Sequence, residues 1–191
     1  AASNDLPDLF AYEAGAPLSV LIDSGKVKNI TEAVDEIGTA DYLNSGAVEL
    51  LKGLSGTDDL YDLPLGLNVE GFWYNKALFE QAGCEVPTTW DELKAACEAV
   101  KESNPDVAPL AATWGSTHYG ALNEVYWPYF WGAGASIVDD DGNLTIDTDA
   151  GLEATQFLKD MKDEGLLPDT TTSVDDALEP FKNGEAAMTV V

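Results

Sequence analysis

Residues 63–92 read LPLGLNVEGFWYNKALFEQAGCEVPTTWDE, and this stretch decides the fold. Apolar residues occupy every second position here, at Leu65, Leu67 and Val69, which predicts an extended segment with one apolar face. Asn68 and Glu70 fall on the opposite face of the same segment. The sequence therefore predicts a strand that presents polar groups on one side.

Two helices follow this strand, and the sequence marks where each begins and ends. Asn75 is a suitable N-cap for a helix that Gly83 ends. Thr89 and Glu92 have the spacing of a capping box, in which Thr89 caps the next helix and Glu92 reaches back to it. Helical spacing predicts that the buried face of that helix carries Trp90, Leu93, Cys97 and Val100. A strand followed by capped helices predicts an α/β layer.

The rest of the chain continues this alternation. Strands are predicted over residues 6–12, 61–67, 108–113 and 186–191, and a hairpin over 137–146 that turns at 140–143. Helices are predicted over 15–24 and 149–164, over a segment capped by Ser173 and ended by Gly184, and as two short helices within 31–53 that Gly38 and Gly46 interrupt. We expect the helices of the second half to lie on a sheet.

The charge balance limits what the chain can bind. Its 191 residues hold 35 Asp and Glu against 9 cationic residues, all of them Lys, for a net charge of -26. Such a chain has too few cations for nucleic acid or an anionic membrane surface, and without Arg it has no bidentate group for phosphate. A neutral or cationic ligand is favoured. With 45% hydrophobic and 9% aromatic residues the chain is too apolar to be disordered, yet no stretch reaches the length of a membrane span, and residues 1–9 lack a signal-peptide pattern.

The sequence contains no complete motif for catalysis or metal binding. Residues 139–143, DDDGN, resemble a calcium loop only in part, because Ile137 and Thr148 would occupy its first and last ligand positions. His118 has no evident nucleophilic partner, and phosphate-binding glycine motifs are missing. Two Cys and one His do not make a metal site. We therefore expect a binding protein without a cofactor or metal; a carboxylate pair for glycoside hydrolysis stays open as an alternative.

Aromatic residues give the positive signal. Residues 114–131 hold seven of the eighteen aromatic residues and the single His. Helical spacing predicts that Tyr126, Phe130 and also Trp127 belong to the core. Trp114, His118 and Tyr119 instead fall in a loop after a predicted strand, where open α/β sheets bind ligands. Aromatic faces beside hydroxyl and amide groups suit a sugar, so we predict a carbohydrate site here; a merely exposed aromatic loop is the alternative.

The order of motifs resembles the carbohydrate-binding class of extracellular solute-binding proteins of ABC importers, which includes maltodextrin-binding proteins. The matching stretches are Pro7-Asp8, residues 25–27 (GKV), 63–64 (LP), 73–79 (WYNKALF), 82–83 (AG), 87–92 (PTTWDE) and 181–188 (FKNGEAAM). They run from one end of the chain to the other. The combination of the Tyr-Asn-Lys block with the later Thr-Trp-Asp-Glu and Asn-Gly-Glu-Ala-Ala-Met segments is specific.

The resemblance implies a type II periplasmic-binding-protein fold, in which two α/β lobes joined by crossover strands close on a ligand. On this basis residues 1–66 form part of a first lobe, 67–71 are the hinge crossing, 72–184 form the second lobe, and 185–191 are a strand returning toward the first. Family members are about twice this long, so the resemblance implies a fragment with one lobe incomplete and with sheet edges that are exposed.

The resemblance also adds site residues to those of the aromatic loop. Asn68 matches a ligand-contacting position of maltodextrin binders, and Tyr12 matches an aromatic of the cleft. The predicted ligand-binding residues are Tyr12, Glu13, Asn68, Glu70, Trp114, His118 and Tyr119. Two departures, Gly15 in place of a polar sugar contact and Glu124 in place of an aromatic, argue against a maltodextrin ligand.

The function implied is that of a substrate-binding subunit that captures a neutral mono- or oligosaccharide and delivers it to ABC permease subunits, with no enzymatic activity. Its expected location is the outer face of the membrane, through a lipid anchor, or the periplasm. The alternatives are an exported glycan hydrolase and a noncatalytic surface or adhesion domain. An exported protein also leaves two interpretations of Cys84 and Cys97 open, a disulfide or two buried thiols.

Overall fold

The computed structural model describes residues 7–12, 16–38, 42–66, 68–114, 121–139, 141–168 and 174–191. The chain divides into two compact units, Ala1–Val69 and Glu70–Val191, here called the N-terminal and C-terminal units. Their boundary falls inside the predicted crossing, residues 67–71. The assignment of the two units to lobes stays a prediction.

The N-terminal unit is helical in its described part. It contains α1 (Ala16–Asp23), α2 (Thr31–Ile37) and α3 (Ser45–Ser55). The predicted break at Gly38 is confirmed, because Gly38 ends α2 in the left-handed conformation (φ 69°). The break at Gly46 is wrong: the Asn44 side chain accepts the Ala47 N–H and starts α3 ahead of that glycine.

The strands predicted over 6–12 and 61–67 are not found in the described parts of these segments. A strand exists only when a second strand bonds to it, and neither segment pairs with another described one. Near the second segment, the backbone of Leu60 bonds to residues before and at the start of α2 and not to a strand. Its carbonyl accepts the Ile30 N–H and its N–H donates to Thr31 Oγ1, both at 2.8 Å. Leu9 and Leu65 are each 91% exposed, so the apolar pattern there does not reflect burial.

The C-terminal unit is built on a three-stranded sheet. Its strands are β1 (Phe72–Tyr74), β2 (Ala108–Ala111) and β3 (Ala186–Val190), in the order β1-β3-β2. β3 runs parallel to β2 and antiparallel to β1, with Met188 opposite both Leu110 and Tyr74. The predicted strands at 108–113 and 186–191 are thus confirmed. All five residues of β3 are buried, which suits the central strand of a sheet covered on both faces.

Helices of the same unit pack around this sheet. They are α4 (Lys76–Ala82), α5 (Trp90–Ser103), a π-helix (Ala121–Tyr126), α6 (Trp127–Gly132), α7 (Asp149–Asp163) and α8 (Val174–Lys182). Phe130, Met161 and Met188 are fully buried in the joint core. The prediction that Phe130 is a core residue is confirmed, while Tyr126 and Trp127 are half-buried against the same core.

The predicted helix caps are largely present. Asn75 accepts the N–H groups of Ala77 and Leu78 and begins α4, and Thr89 accepts the Glu92 N–H at 3.2 Å. The returning half of the capping box differs from the prediction: Glu92 Oε2 accepts from the N–H of Thr88, at 2.8 Å, and from its hydroxyl. The carboxylate therefore bonds one residue ahead of the cap. Ser173, the predicted cap of α8, lies outside the described residues.

The predicted hairpin and the two cysteines complete the unit. The hairpin at 137–146 is reduced to a single bridge between Val138 and Leu144. Its turn is held by Asp139, whose carboxylate accepts the N–H groups of Asp141 and Asn143. Cys84 and Cys97 are free thiols, Cys97 fully buried and Cys84 half-buried. Of the two interpretations of the cysteines, the structure has the free thiols.

Candidate functional site

The strand directions bring two of the predicted site residues to one edge of the sheet. β2 and β3 are parallel and end at Ala111 and Val190, while the antiparallel β1 begins at the same edge, with Phe72 opposite Val190. Glu70 precedes β1 and Trp114 follows β2, so both lie at the carboxyl edge of the parallel strands. Ligands of open α/β sheets bind at this edge.

Trp114 is anchored in the C-terminal unit. It follows Ala112 and Thr113, both fully buried, and is itself half-buried against the core of the unit. A half-buried indole has a fixed orientation and still keeps part of its ring surface at the outside. This arrangement suits a stacking contact with a flat, apolar ligand face.

Glu70 is exposed, but its backbone is held in place. The neighbouring Gly71 exchanges both of its backbone hydrogen bonds with Val191, donating at 3.0 Å and accepting at 3.3 Å. The carboxylate therefore stands next to a fixed point at the end of the sheet. A carboxylate accepts hydrogen bonds from the hydroxyls of a neutral ligand, and it also repels an anionic one.

Two further predicted residues belong to the N-terminal unit. Tyr12 is 55% exposed and meets Phe10 edge to face, with ring centroids 5.9 Å apart. Asn68 is also exposed, one residue before the unit ends. Glu13, His118 and Tyr119 lie outside the described residues. The roles of all seven residues in ligand binding stay predictions.

A π-helix follows the predicted ligand loop, and the sequence analysis did not predict it. It spans Ala121–Tyr126 and runs directly into α6. π-Helical turns are rare and are frequent at functional sites. Tyr126 fixes its end, because the Tyr126 hydroxyl hydrogen-bonds Thr155 Oγ1 at 3.0 Å, and Thr155 in turn donates to the Gly151 carbonyl. The helix leaves Leu122 and Asn123 exposed.

A second feature that the sequence analysis missed is an aromatic groove along β1, here called the β1 groove. Its cavity of about 320 Å³ lies within the C-terminal unit, and none of its lining residues is charged. Its walls come from β1, the residues before and within the first turn of α5, and α6. Five aromatic residues line it: Phe72, Trp73, Tyr74, Trp90 and Tyr129. The run Phe72-Trp73-Tyr74 was the available signal, but continuous apolar residues in a strand usually indicate burial.

The pKa values of ionisable groups in the C-terminal unit shift in different directions in the core and at the surface. Burial raises the pKa of the Cys97 thiol to about 12 and also raises the pKa of Tyr129, so both groups are neutral at physiological pH. On the surface, hydrogen bonds lower the pKa of Glu92, through Thr88, and of Asp139, through Asn143. In the described residues no group of three His, Cys, Asp or Glu could hold a metal ion. No helix in the same residues has the length and apolarity to cross a bilayer.

Comparisons with known proteins give this arrangement a context. The profile of a family described as bacterial extracellular solute-binding protein matches residues 1–191. A binding protein of Brucella abortus (strain 2308) is 34% identical over 140 residues, which cover 68% of this chain and 32% of that protein. The multiple sugar-binding protein of Streptococcus mutans serotype c is 32% identical over 119 residues, which cover 62% and 27%. The matched segments thus span less than a third of the length of these curated relatives.

A solved structure agrees on the fold. The sugar transporter of Arthrobacter chlorophenolicus A6, determined with bound laminaribiose, superposes with a TM-score of 0.75 at 23% identity. The match covers 91% of this chain and 44% of the other. At this identity the likeness concerns the fold alone. The mixed α/β, type II periplasmic-binding-protein class predicted from the sequence is therefore confirmed.

Proposed function

Because the chain belongs to the bacterial extracellular solute-binding proteins, we propose that it forms part of the substrate-binding subunit of an ABC importer for a neutral carbohydrate. The observation that carries this proposal is the position of Glu70 and Trp114 at the carboxyl edge of one sheet. A stacking ring and a hydrogen-bond acceptor at that edge are the two groups that a sugar needs.

Each predicted residue has a role in this proposal. Trp114, Tyr119 and Tyr12 stack on the apolar C–H faces of a sugar ring. Glu13, Asn68, Glu70 and His118 exchange hydrogen bonds with its hydroxyls. The protein binds and releases its ligand without chemical change.

The charge of the chain supports a neutral ligand. Of the 29 acidic residues whose side chains the structure describes, all but Asp59, Asp62 and Asp160 are exposed at the surface. A sugar phosphate or sugar acid approaching this surface meets repulsion, and the chain has no Arg to offset it. The relative in Streptococcus mutans carries a name that refers to several sugars, which agrees with this ligand class.

The proposed role in import requires a location outside the cytoplasm. We propose that it is lipid-anchored on the outer face of the membrane or lies in the periplasm, and that it delivers its ligand to ABC permease subunits. Transfer to a permease needs no covalent step, in keeping with a protein that is not an enzyme.

Binding is tested by a thermal-shift and native mass-spectrometry screen of the full-length protein against neutral mono- and oligosaccharides, followed by calorimetry. We expect a dissociation constant of about 1 μM for the best sugar, which corresponds to about -8 kcal/mol. The 191-residue chain alone is expected to bind the same sugar at about 1 mM, since it supplies only part of the contacts.

Two variants test the assigned edge. Trp114→Ala is expected to weaken binding about tenfold or more, or ~1.4 kcal/mol. Trp131→Ala is the matched control, an exposed tryptophan of the same unit outside the predicted site, and is expected to leave binding unchanged. Equal effects of both variants would contradict the assignment. Tighter binding of sugar phosphates than of neutral sugars, or release of hydrolysed products, would contradict the proposed ligand class and the binding function respectively.

A further inference from the structure

A chain of hydroxyl groups connects the π-helix to α7. The Tyr126 oxygen lies 3.0 Å from Thr155 Oγ1, and Thr155 Oγ1 lies 2.8 Å from the carbonyl oxygen of Gly151. A hydroxyl has one proton, and the proton of Thr155 is donated to Gly151. The Tyr126 hydroxyl is therefore the donor toward Thr155. The hydrogen bonds run in one direction, from the last residue of the π-helix to the first turn of α7.

The α7 end of this chain of bonds is tightly packed. Gly151 is buried, and a Cβ atom at its position would lie 2.7 Å from the ring of Phe130 and 2.8 Å from the carbonyl oxygen of Ile146. Phe130 is itself fully buried in the core. Close-packed interiors resist small displacements. Through Thr155, the Tyr126 hydroxyl is thus bonded to a point that cannot shift without disturbing the core.

Packing alone does not require this hydroxyl. The Tyr126 ring stacks on Phe130, with ring centroids 5.8 Å apart, and meets Trp127 edge to face at 5.0 Å. A phenylalanine ring would make both contacts. Aromatic contacts tolerate a broad range of distances and angles, whereas a hydrogen bond is narrow in both. The hydroxyl of Tyr126 therefore adds a directional restraint to a position that the ring already fills.

The π-helix is an element whose orientation depends on such a restraint. It runs directly into α6, so a change from π-helical to α-helical bonding would turn the residues ahead of it by about 100°, the rotation of one α-helical residue. Leu122 and Asn123, which are exposed near its start, would then face another direction. In the sequence, residues 115–120 of the predicted ligand loop connect this end of the π-helix to Trp114.

We propose that Tyr126 is a positioning residue for sugar binding, and that its hydrogen bond to Thr155 holds the π-helix in the orientation in which it joins the predicted ligand loop. Tyr126 acts through the π-helix and not by contact with the sugar, since its hydroxyl is directed at α7. The inference rests on the proposed function, because it takes a sugar to bind beside Trp114. Loss of this hydroxyl is expected to change sugar affinity, which a purely structural bond would leave unchanged in the folded protein.

Backbone chemical shifts of the full-length protein without ligand test the restraint. In Tyr126→Phe the shifts of residues 121–123 are expected to change, because the π-helix is no longer held by α7, while those of β3 stay the same. Tyr129→Phe is the matched control: it removes a tyrosine hydroxyl from α6 that is not part of this chain of bonds, and is expected to leave the shifts of residues 121–123 unchanged. Unchanged shifts of residues 121–123 in Tyr126→Phe would overturn the proposal.

Sugar affinity tests the role in binding. Calorimetry of the full-length protein uses a panel of neutral sugars as probes, namely glucose, maltose, cellobiose and laminaribiose. Tyr126→Phe and Thr155→Val are each expected to weaken binding about five- to tenfold, and the double variant no further, because both substitutions remove the same hydrogen bond. Thr155→Ser keeps the hydroxyl and is expected to bind as the parent protein does, and so is the control Tyr129→Phe.

The outcomes separate this role from the proposed function. Unchanged affinity of Tyr126→Phe, together with a lower melting temperature, would overturn the proposal, since the bond would then serve stability only. Additive losses in the double variant would also overturn it, because the two hydroxyls would then act independently. Failure of the parent protein to bind any of the probes would instead count against the proposed sugar-binding function, and this role would fall with it.

Discussion

The two units of the chain differ in the size of their apolar cores. In the C-terminal unit twenty buried apolar residues form a single cluster around the sheet. Among the described residues of the N-terminal unit the corresponding cluster joins Val34, Leu51 and Leu60, while Leu18, Leu21 and Ala47 are buried outside it. Leu9, Tyr42, Leu65 and Val69 are each more than 80% exposed. Apolar burial is the dominant source of folding free energy, so we expect the C-terminal unit to be the more stable of the two.

Charge does not explain this difference. The N-terminal unit carries 12 Asp and Glu with 3 Lys, and the C-terminal unit 23 with 6, over 69 and 122 residues. Net negative charge per residue is therefore nearly equal. The units therefore differ in core and not in charge density.

The largest expected effect comes from the core of the C-terminal unit. Phe130→Ala removes a fully buried ring that packs on Trp127 and Tyr126, and is expected to destabilise this unit by about 3–5 kcal/mol. Urea unfolding followed by tryptophan fluorescence measures it, since all five Trp residues lie in this unit.

The matched substitution in the other unit is Leu51→Ala. We expect it to speed hydrogen exchange of α2 and α3 and to leave the main tryptophan transition in place, because its cluster is separate from that of Phe130. A shift of the main transition as large as that of Phe130→Ala would show that the two units unfold as one.

This contrast also explains what the sequence could predict. Helices with local signals, such as the Asn75 cap, the Thr89 cap and the left-handed Gly83, were predicted because the bonds that form them lie within a few residues. The strands expected at 6–12 and 61–67 were wrong because a strand depends on a partner that no local pattern specifies. Most of the elements that were predicted wrongly lie in the unit with the smaller core.

The same reasoning applies to the site. Trp114 could be placed at a strand end because it follows a predicted strand, and ligands bind at such ends. That Glu70 lies at the same edge depends on the antiparallel direction of β1, which the sequence did not predict. The β1 groove could not be predicted, since Trp73, Trp90 and Tyr129 come from three separate segments. The π-helix has no local sequence signal of its own, and only the structure reveals it.

Salt is expected to act on both units alike. Raising NaCl from 0.05 M to 1 M shortens the screening length to about 3 Å and weakens repulsion among the carboxylates. It also weakens the few ion pairs, such as Lys94 with Glu164 at 2.7 Å, but carboxylates outnumber lysines. We expect a net gain of about 2 kcal/mol, seen as a rise of roughly 4–8 °C in the melting temperature.

Calorimetry and hydrogen exchange at the two salt concentrations measure this effect unit by unit. Sucrose at equal osmolality is the control, because it stabilises by exclusion and not by screening. A gain confined to one unit, or an equal gain in sucrose, would contradict the charge argument.

A smaller effect is expected inside β3. Thr189 is fully buried, and its hydroxyl has no hydrogen-bond partner among the described residues. Thr189→Val keeps the shape and removes the unsatisfied group, so it is expected to stabilise the C-terminal unit by about 1 kcal/mol. Thr113→Val is the control: Thr113 is equally buried, but its hydroxyl is not among the buried groups without a partner, and its replacement is expected to destabilise. A shift of the urea midpoint in the same direction for both variants would contradict this account.

The smallest effect concerns the carboxylate at the start of α5, and it depends on pH. Thr88 donates two hydrogen bonds to Glu92 and thereby lowers its pKa below the usual 4.5. A carboxyl whose pKa is lower in the folded state stabilises that state above its unfolded pKa, and the contribution disappears as the pH falls through the folded pKa. Glu92→Gln is therefore expected to unfold at lower urea than the parent protein at pH 7, and at the same urea once the pH is well below 4. Asp91→Asn removes a carboxylate from the same helical turn without touching these bonds and controls for charge alone. If the urea midpoint of Glu92→Gln stays below that of the parent protein at low pH, the stabilisation by Glu92 comes from packing and not from its charge. A change in hydrogen-exchange rates within the N-terminal unit would show that this cap acts beyond its own unit.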